Sequence, residues 1–360
     1  MRWGILSTGT IAKNFAQTAG QMPDVQMQAV ASRSRESAEA FARAYDIPTA
    51  HDSYEALAND PNVEIVYVAT PHSRHAEDMK LLIQAGKHVL CEKSFTIDAK
   101  QAKEIFALAQ EKHVFVMEAF WTKFIPLYRQ IEEILESGKL GEIRAVTAQY
   151  GYTTARETRK FDPALAGGTL LDIGVYAIGF ACMMMGYAFD DVRSELVMNS
   201  AGTDALDAIT LRKGKTIAQL TTAIGVNMPT FAAVYGTKGH IDIPEFKNPT
   251  RAVLRLDGQE PVELAHPFEI NGFEYEIREN LCLDCVHLRE TRGAQTRRLP
   301  FCARCDTLPI DFGRESAACC ENCTGENWPS VCWAGRCTPS SLPLAGRRST
   351  MGIFIWAMRC

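Results

Sequence analysis

The sequence predicts two folded domains, an N-terminal α/β domain and a C-terminal α+β domain, on three observations. The chain has 360 residues, of which 46% are apolar and 22% are charged, so it can build two hydrophobic cores. Strands and helices alternate over residues 1–120, which is typical of a doubly wound parallel sheet covered on both faces. From Arg144 onward, short segments rich in Val, Ile, Thr and Tyr predict a large, open, mostly antiparallel sheet with helices on one face.

The N-terminal domain, residues 1–120, is predicted from apolar runs that alternate with helical spacing. Strands are predicted at residues 2–6, 25–31, 63–69, 88–91 and 114–117. Helices are predicted at residues 36–45, 53–57, 75–85 and 98–111, and another begins at Ile11. The strand at 63–69 is almost continuously apolar, which indicates burial on both faces of the sheet.

The second domain, residues 121–279, is predicted to contain short strands joined by turns such as Asp257-Gly258. These strands fall at residues 144–152, 209–213, 216–226, 230–236, 240–243, 252–258 and 261–265. A helix around residues 170–187 lies between the two domains in sequence, and we expect it to face the cleft between them. The apolar stretch 174–189 is short for a membrane span and follows an aspartate, so we expect a buried helix instead.

The net charge of the chain and the distribution of its basic residues indicate which classes of partner it binds. The formal net charge is −5 and the basic residues are scattered, so nothing predicts a nucleic-acid surface. The N-terminal residues enter a strand and a glycine turn without a charged leader or cleavage site, so we expect a cytoplasmic protein with no membrane partner. A small molecule is the expected partner.

A glycine turn follows the first strand and opens the first helix, as a dinucleotide-binding fingerprint does. It matches G-x-G-x-x-G/A with Ser at the first glycine and Ala12 at the third. The central glycine lets the backbone approach a pyrophosphate, which then lies on the N–H groups of the helix N-terminus. A plain structural turn is the alternative. The predicted cofactor-binding residues here are Ser7, Thr8, Gly9, Thr10 and Ile11.

The end of the second strand indicates which dinucleotide is bound. An NAD-selective site usually carries Asp or Glu there, to bind the ribose 2′-hydroxyl. This chain has Ser32 and Arg33 instead. A hydroxyl and a guanidinium suit a 2′-phosphate, so we predict NADP, with NAD still possible. A solvated charged turn would explain the same residues.

A lysine follows the strand at 88–91, in the sequence Glu92-Lys93-Ser94. Because an ammonium is costly to desolvate, a lysine at the tip of a buried strand needs a reason. Ligands bind at the carboxyl ends of strands in open parallel sheets, which would place Lys93 beside a bound cofactor. On these residues alone, a surface lysine at a strand end is the simpler explanation.

These motifs together resemble the Gfo/Idh/MocA family of NAD(P)-dependent oxidoreductases. In that family the strand tip carries E-K-P, and a helix carries G-G-G-x-x-x-D-x-G-x-H, for which this chain has GGTLLDIGVY at residues 167–176. The chain is similar to the family's dimeric dihydrodiol dehydrogenases and NADP-dependent xylose dehydrogenases. Members of that group share the opening R-W-G-I, the stretch at 117–124 and a tyrosine where other members have histidine. The resemblance covers roughly residues 1–279.

The resemblance implies a Rossmann fold for the first domain and assigns roles to individual residues. The implied catalytic residues are Lys93, Tyr176, Asp172 and Glu92. Lys93 would donate a proton or a hydrogen bond to the substrate oxygen, and Glu92 would orient it or its loop. Asp172 and Tyr176 are four residues apart on a predicted helix and would project together, with Lys93 lowering the pKa of the phenol. A satisfied hydrogen bond in the core would explain the same pair.

The resemblance also implies further residues of the cofactor and substrate sites. The cofactor set continues with Thr70, Pro71, His72, His75, Glu92 and Lys93. The substrate pocket would include Trp121, Phe124 and Arg144, although aromatic residues at this density are as often core residues. The implied substrate is a vicinal diol or polyol, such as a trans-dihydrodiol or xylose. A homodimer would form through the exposed face of the C-terminal sheet.

The chain departs from the family pattern at three positions. Ser94 replaces the family proline, so we expect a less rigid loop after Lys93. Thr169 replaces the third glycine of its motif, and Ser7 replaces the first glycine of the fingerprint. None of these changes removes a reacting group.

The remaining residues, 280–360, have a different composition. Ten of the twelve cysteines lie between Cys282 and Cys360, and the last lysine is Lys247. The spacing C-x2-C-x16-C-x2-C from Cys282 fits a four-cysteine zinc site. However, this segment lacks periodicity, and family members continue with an amphipathic helix. We therefore expect a frameshifted tail without a metal site, and one tightly bound zinc per chain with a confirmed reading frame would contradict this.

Three functions are consistent with the sequence. The favoured one is an NADP-dependent dehydrogenase that acts on a diol or sugar. A non-catalytic NADP-binding regulator would keep Gly9, Ser32 and Arg33 without needing Lys93. A zinc-binding interaction protein would depend on the cysteines of the tail.

Overall fold

The computed structural model describes residues 1–155 and 159–281, and the predictions made for the cysteine-rich tail lie outside them. The first domain contains a six-stranded parallel sheet in the order β3-β2-β1-β4-β5-β6. Its strands are Arg2–Leu6 (β1), Gln26–Ala31 (β2), Thr49–His51 (β3), Ile65–Val68 (β4), His88–Glu92 (β5) and Val116–Ala119 (β6). This order is that of a Rossmann fold, as expected.

Helices cover this sheet, and they begin where the sequence provides a cap. They are Thr10–Ala19 (α1), Arg35–Ala44 (α2), Tyr54–Ala58 (α3), His72–Gln84 (α4) and Ala99–Lys112 (α5). The side chains of Ser34, Ser53 and Asp98 cap α2, α3 and α5. Helix α4 begins at His72, three residues earlier than predicted, because Pro71 takes the N-cap position with φ −63°.

The second domain contains an eight-stranded sheet in the order β14-β13-β12-β11-β7-β10-β9-β8. Its strands are Ile143–Tyr152 (β7), Asp191–Met198 (β8), Asp204–Lys213 (β9), Thr216–Ile224 (β10), Met228–Gly236 (β11), Gly239–Pro244 (β12), Arg251–Leu256 (β13) and Val262–Ala265 (β14). The strand pairs are antiparallel except for β7 with β10. The edge strand β8 was not predicted, since its mostly exposed side chains give it no apolar periodicity.

The helices of the second domain pack its sheet against the first domain. A 3-10 helix, Trp121–Phe124, leads into Pro126–Glu136 (α6), and a π-helix, Leu170–Gly174, leads into Val175–Met185 (α7). Helix α7 lies against β7 and β10 and is buried along its whole length except at Met183. By length and composition the segment Pro163–Met185 could cross a membrane, but 89% of its apolar window is buried inside the protein. Such burial is what a core helix requires.

The last described helix, Phe273–Leu281 (α8), returns to the first domain. It packs against α1 and the 3-10 helix. Phe273 stacks on Trp121 with ring centroids 4.8 Å apart, and both Phe273 and Ile277 join the hydrophobic core around Phe15. Residues 273–279 were predicted as part of the second domain and residues 280–281 as part of the tail, but together they form one helix that closes the core of the first domain.

Gly179 in α7 lets the helix pass close to the ring of Phe120. A Cβ at this position would lie 2.3 Å from Cζ of Phe120, which no folded structure tolerates without movement. Alanine normally stabilises a helix interior relative to glycine by about 1 kcal/mol. We predict the opposite sign here, with Gly179→Ala lowering the free energy of unfolding by about 1–3 kcal/mol. Urea denaturation of the variant and the wild type measures this difference.

The double variant Gly179→Ala/Phe120→Leu is the matched control for this prediction. The leucine side chain leaves free the space into which the alanine methyl group projects. We therefore expect Gly179→Ala to lower the free energy of unfolding by less in the Phe120→Leu background than in the wild type. An equal decrease in the free energy of unfolding in both backgrounds would show that contact with the Phe120 ring is not what destabilises Gly179→Ala.

Candidate active site

The turn between β1 and α1 has the geometry of a dinucleotide cradle. Ser7 adopts φ +100°, a left-handed value that favours glycine, which fits its place at the first glycine of the fingerprint. Gly9 is the N-cap of α1, and a Cβ there would meet only Ser7 Oγ, at 3.8 Å. In the described chain no side chain caps α1 and no acid lies in its first turn. Its N–H groups at Thr10 and Ile11 therefore fit a pyrophosphate.

Ser32 and Arg33 directly follow β2, the position at which an NAD-selective Rossmann domain carries an acidic residue. The Ser32 N–H donates to His51 O, which fixes the backbone of this turn. Arg33 is exposed, while the neighbouring Arg35 pairs with Asp52 at 2.6 Å. A hydroxyl on a fixed backbone and an exposed guanidinium fit a phosphate.

Lys93 extends from the tip of β5 across the cleft to the π-helix. Its Nζ donates to the carbonyl oxygen of Asp172 at 2.7 Å and lies 3.8 Å from Asp172 Oδ1. The same Nζ is 5.0 Å from the centroid of the Tyr176 ring. The structure therefore brings Lys93, Asp172 and Tyr176 together. The Lys93–Ser94 peptide bond is cis, and Ser94 Oγ donates to Leu171 O at 2.8 Å, which anchors the loop that we expected to be less rigid.

Asp172 is the buried carboxylate at the centre of this cluster. Tyr152 OH donates to its Oδ2 at 2.5 Å, and Lys160 Nζ lies 3.4 Å from the same oxygen. Burial alone would raise the pKa of Asp172, but Lys93, Lys160 and the hydrogen bond from Tyr152 lower it well below its usual range. Asp172 is thus ionised, and its position in a π-helical turn matches the frequent occurrence of such turns at functional sites.

Tyr176 is buried, and its hydroxyl oxygen accepts a hydrogen bond from Trp121 Nε1 at 3.2 Å. We expected Lys93 to lower the pKa of the phenol, but the pKa is raised well above 10 by burial and by the Glu92 carboxylate. The expectation was wrong because desolvation of a phenolate outweighs a cation 5.0 Å from the ring centre. Tyr176 is therefore a neutral hydrogen-bonding group.

The Glu92 carboxylate accepts a hydrogen bond from the hydroxyl of Tyr67. Burial raises its pKa, and Lys93 and this hydrogen bond partly offset that effect. Glu118, on the neighbouring strand β6, accepts the N–H of Phe95 at 2.9 Å, and burial raises its pKa to about 7. Asp172, rather than Glu92, contacts the lysine amine.

The other predicted cofactor residues tie the start of α4 to the Lys93 loop. The ring nitrogens of His75 lie 2.8 Å from Ser94 O and 2.9 Å from Thr70 O, and burial lowers its pKa to about 4. A neutral ring donates to one of these oxygens. His72 Nδ1 lies 3.2 Å from Ala166 O, and burial lowers the pKa of His72 to about 3. Pro71 precedes His72 as the N-cap.

The three predicted substrate-pocket residues separate in the structure. Trp121 contacts Tyr176 directly, while Phe124 lies three residues further along the same 3-10 helix and is half-buried. Arg144 is exposed and pairs with Glu142 near the start of β7. It is eight residues from Tyr152, or about 26 Å along the strand, so it does not reach the cluster.

Sequence reasoning missed several residues of the cluster, namely Tyr150, Tyr152, Arg159, Lys160 and Lys247. The two tyrosines are two apart on a strand, so they share a face, and this alternation was available in the sequence. No sequence motif around the three cations predicts their position. Lys247, for example, reaches the cluster only through the pairing of β12 with β11. In the described residues no group of three or more His, Cys, Asp or Glu could hold a metal.

Both domains match known sequence families. Residues 1–120 match the GFO/IDH/MocA oxidoreductase family, described as an NAD-binding Rossmann fold, and residues 128–242 match the GFO/IDH/MocA C-terminal domain. The chain is 36% identical over 296 residues to trans-1,2-dihydrobenzene-1,2-diol dehydrogenase of Mus musculus, covering 81% of this chain and 87% of that protein. It is 37% identical over 314 residues to the Xenopus laevis enzyme of the same name, covering 86% and 94%.

Solved structures share the fold. A 3-ketoreductase from Actinomadura kijaniata, solved with NADP and TDP-benzene, is 26% identical, covers 79% of this chain and 90% of its own, and has a TM-score of 0.72. An aldose-aldose oxidoreductase from Caulobacter crescentus, solved with glycerol, has a TM-score of 0.73, covers the same shares and is 22% identical.

Glu118 makes stability depend on pH in a predictable direction. Its pKa in the folded protein is about 7, above the ordinary value of 4.5 for a glutamate, so the folded state holds this proton more tightly than the unfolded state. The contribution of Glu118 to stability is therefore lost as the pH rises through about 7. In Glu118→Gln the amide oxygen still accepts the Phe95 N–H without a titrating proton. We predict that this variant gains about 2 kcal/mol relative to wild type between pH 5 and pH 8.

Urea denaturation at both pH values measures this gain, with Glu111→Gln, at an exposed position on α5, as the control. We expect the control to follow the wild type at both pH values. A difference between Glu118→Gln and wild type that stays the same at pH 5 and pH 8 would contradict the assignment.

Proposed function

Since this chain belongs to the Gfo/Idh/MocA oxidoreductase family, we propose that it is an NADP-dependent dehydrogenase that oxidises a carbinol of a vicinal diol or a sugar. The observation that carries the proposal is the position of the Lys93 amine. It lies at the carboxyl edge of the parallel sheet, 2.7 Å from Asp172 O and 5.0 Å from the Tyr176 ring. Ligands of open parallel sheets bind at this edge.

The chain provides a complete set of groups to hold the cofactor. The N–H groups at the start of α1 and the backbone at Gly9 bind the pyrophosphate. Ser32 and Arg33 bind the 2′-phosphate, which favours NADP over NAD. When bound, the nicotinamide supplies the acceptor for the hydride of the carbinol.

Proton transfer to and from the substrate oxygen is the task of Lys93. Asp172 holds the amine with its carbonyl oxygen and its carboxylate, so the amine is oriented before the substrate arrives. In the direction of reduction the Lys93 ammonium gives a proton to the carbonyl oxygen, and in the direction of oxidation the amine receives it. Trp121 and Tyr176 line the cleft beside the Lys93 amine and exclude water from it.

The substrate class follows from the relatives. Two of them carry the name trans-1,2-dihydrobenzene-1,2-diol dehydrogenase, so a trans-dihydrodiol is one candidate. A pyranose such as xylose is the other, because its ring also presents adjacent hydroxyl groups. Both fit a pocket with aromatic walls and a single proton-transfer amine.

We also propose a cytoplasmic homodimer that forms through the exposed face of the C-terminal sheet. Large apolar side chains are exposed on the face of this sheet that points away from the helices, namely Val197, Ile217 and Tyr235. An apolar face of this kind is typical of an interface. Sedimentation equilibrium tests the assembly, and a monomer at micromolar concentration would contradict it. Cell fractionation tests the location, which recovery in the membrane fraction would contradict.

Replacing Lys93 by Met tests the proposed function. Methionine keeps the length of the side chain but removes the group that moves the proton, so kcat/KM should fall by about 10²- to 10⁴-fold. The assay follows absorbance at 340 nm with a panel of dihydrodiols and sugars, using NADP and then NAD. For wild type we expect turnover with NADP to exceed turnover with NAD.

Lys80→Met is the matched control, since Lys80 is an exposed lysine paired with Glu104. It should retain wild-type kcat/KM, and fluorescence titration should show that Lys93→Met still binds NADP. Equal turnover by Lys93→Met and wild type would refute the role of the amine. NADP binding without turnover of any panel member by wild type would favour a non-catalytic regulator.

A further inference from the structure

Three cations share the single carboxylate of Asp172. Lys93 Nζ lies 3.8 Å from Oδ1, Arg159 Nη2 lies 3.9 Å from Oδ1, and Lys160 Nζ lies 3.4 Å from Oδ2. One carboxylate balances one of these charges. The proton-transfer chemistry of the site requires only the first of the three cations.

Lys247 adds a fourth positive charge to the same region. Its Nζ donates to Tyr150 OH at 3.4 Å and lies 5.2 Å from the centroid of the Tyr150 ring. Burial and the nearby Lys93 lower the pKa of Lys247, whereas Glu245 and Asp172 raise it. In the described part of the chain Lys247 forms no ion pair closer than 4 Å. A half-buried ammonium with a phenol as its hydrogen-bond partner has lost hydration without gaining a counter-ion.

The charges that face this region do not cancel. The carboxylates in range of the four cations are Asp172, Glu92, Glu118 and Glu245. Burial raises the pKa of Glu92 and raises that of Glu118 to about 7, so these two balance the cations only in part and positive charge remains in excess near neutral pH. His72, which also lies near Lys93 and Arg159, is neutral because burial lowers its pKa to about 3.

The cofactor phosphates do not account for this excess. The pyrophosphate cradle follows β1, and β5 is two strands away in the sheet, or about 10 Å. Lys247 follows β12 in the other domain, the domain that also carries Asp172 and Lys160. The excess charge therefore lies where the second domain meets Lys93 and not at the cradle.

We propose that the substrate is a sugar or polyol that carries a carboxylate, and that Lys247 with the hydroxyl of Tyr150 binds this carboxylate while Lys93 acts on the carbinol. The proposal rests on the dehydrogenase function proposed above and names its substrate class. A carboxylate carries one negative charge, which matches the single ammonium of Lys247, whereas a phosphate carries nearly two and needs more donors. Tyr150 and Tyr152, whose ring centroids are 5.8 Å apart, supply an apolar wall for the carbon skeleton.

D-glucuronate, D-glucose and D-xylose are the probes, because they share one pyranose ring and differ only in the substituent at C5. With full-length protein and NADP, we expect kcat/KM for glucuronate to exceed that for glucose and xylose by at least about tenfold. Calorimetric titration of the NADP-loaded protein should show the same order of affinity. Raising the salt concentration from 50 to 500 mM should weaken binding of glucuronate only.

Lys247→Gln should lower the glucuronate-to-glucose ratio by about tenfold, Lys247→Arg should retain most of it, and Lys139→Gln, at an exposed lysine, should leave it unchanged. A ratio near one for wild type, or an unchanged ratio in Lys247→Gln, would overturn the proposal. Preference for glucose 6-phosphate over glucuronate would overturn the choice of a carboxylate. If no sugar or diol is oxidised, the dehydrogenase function fails, and the calorimetric ratio alone still decides whether the site selects an anion.

Discussion

The contact between the Lys93 amine and Asp172 is the interaction on which the site depends, because it joins the two domains at the reacting position. Lys93 follows β5 of the parallel sheet, and Asp172 lies in the π-helix that leads into α7 of the second domain. The amine meets the carbonyl oxygen of Asp172 at 2.7 Å, and one residue further along Ser94 Oγ meets Leu171 O at 2.8 Å. Two successive residues on one domain thus bond two adjacent residues on the other. Neither domain alone fixes the position of the amine.

The buried polar groups behind this contact make the strand tip rigid. Tyr67 binds Glu92, Glu118 binds the backbone at Phe95, and His75 lies between the backbone at Thr70 and Ser94. Each partner belongs to a different strand or loop at the carboxyl edge of the sheet. Because a buried polar group is costly when unpaired, displacing the tip would break several bonds at once. The substitution of Ser94 for proline is therefore tolerated, since side-chain and backbone hydrogen bonds hold the loop.

The parts of the protein that the sequence predicted are those in which local pattern determines structure. Apolar runs and capping residues located the helices of the first domain and its strands other than the three-residue strand β3, and the turn at Gly9 predicted the cofactor edge. The exposed edge strand β8 was missed because edge strands need no apolar alternation. Lys160 was missed because the path of a loop brings it to Asp172, and Lys247 was missed because strand pairing brings it to Tyr150. The periodicity of a single sequence predicts neither contact. Arg144 was misplaced for the reciprocal reason: it shares a strand with Tyr152 but lies at the opposite end.

The pKa of Tyr176 limits what the phenol can do. Burial and the Glu92 carboxylate raise this pKa well above 10, so Tyr176 keeps its proton near neutral pH. Trp121 Nε1 already donates to the phenol oxygen, which leaves the phenol hydrogen to point elsewhere. In the proposed dehydrogenase reaction we expect the phenol to donate a hydrogen bond to the substrate oxygen and to stabilise charge there without exchanging a proton. Net proton transfer would then be the role of Lys93, whose side chain is 13% exposed and so reaches solvent.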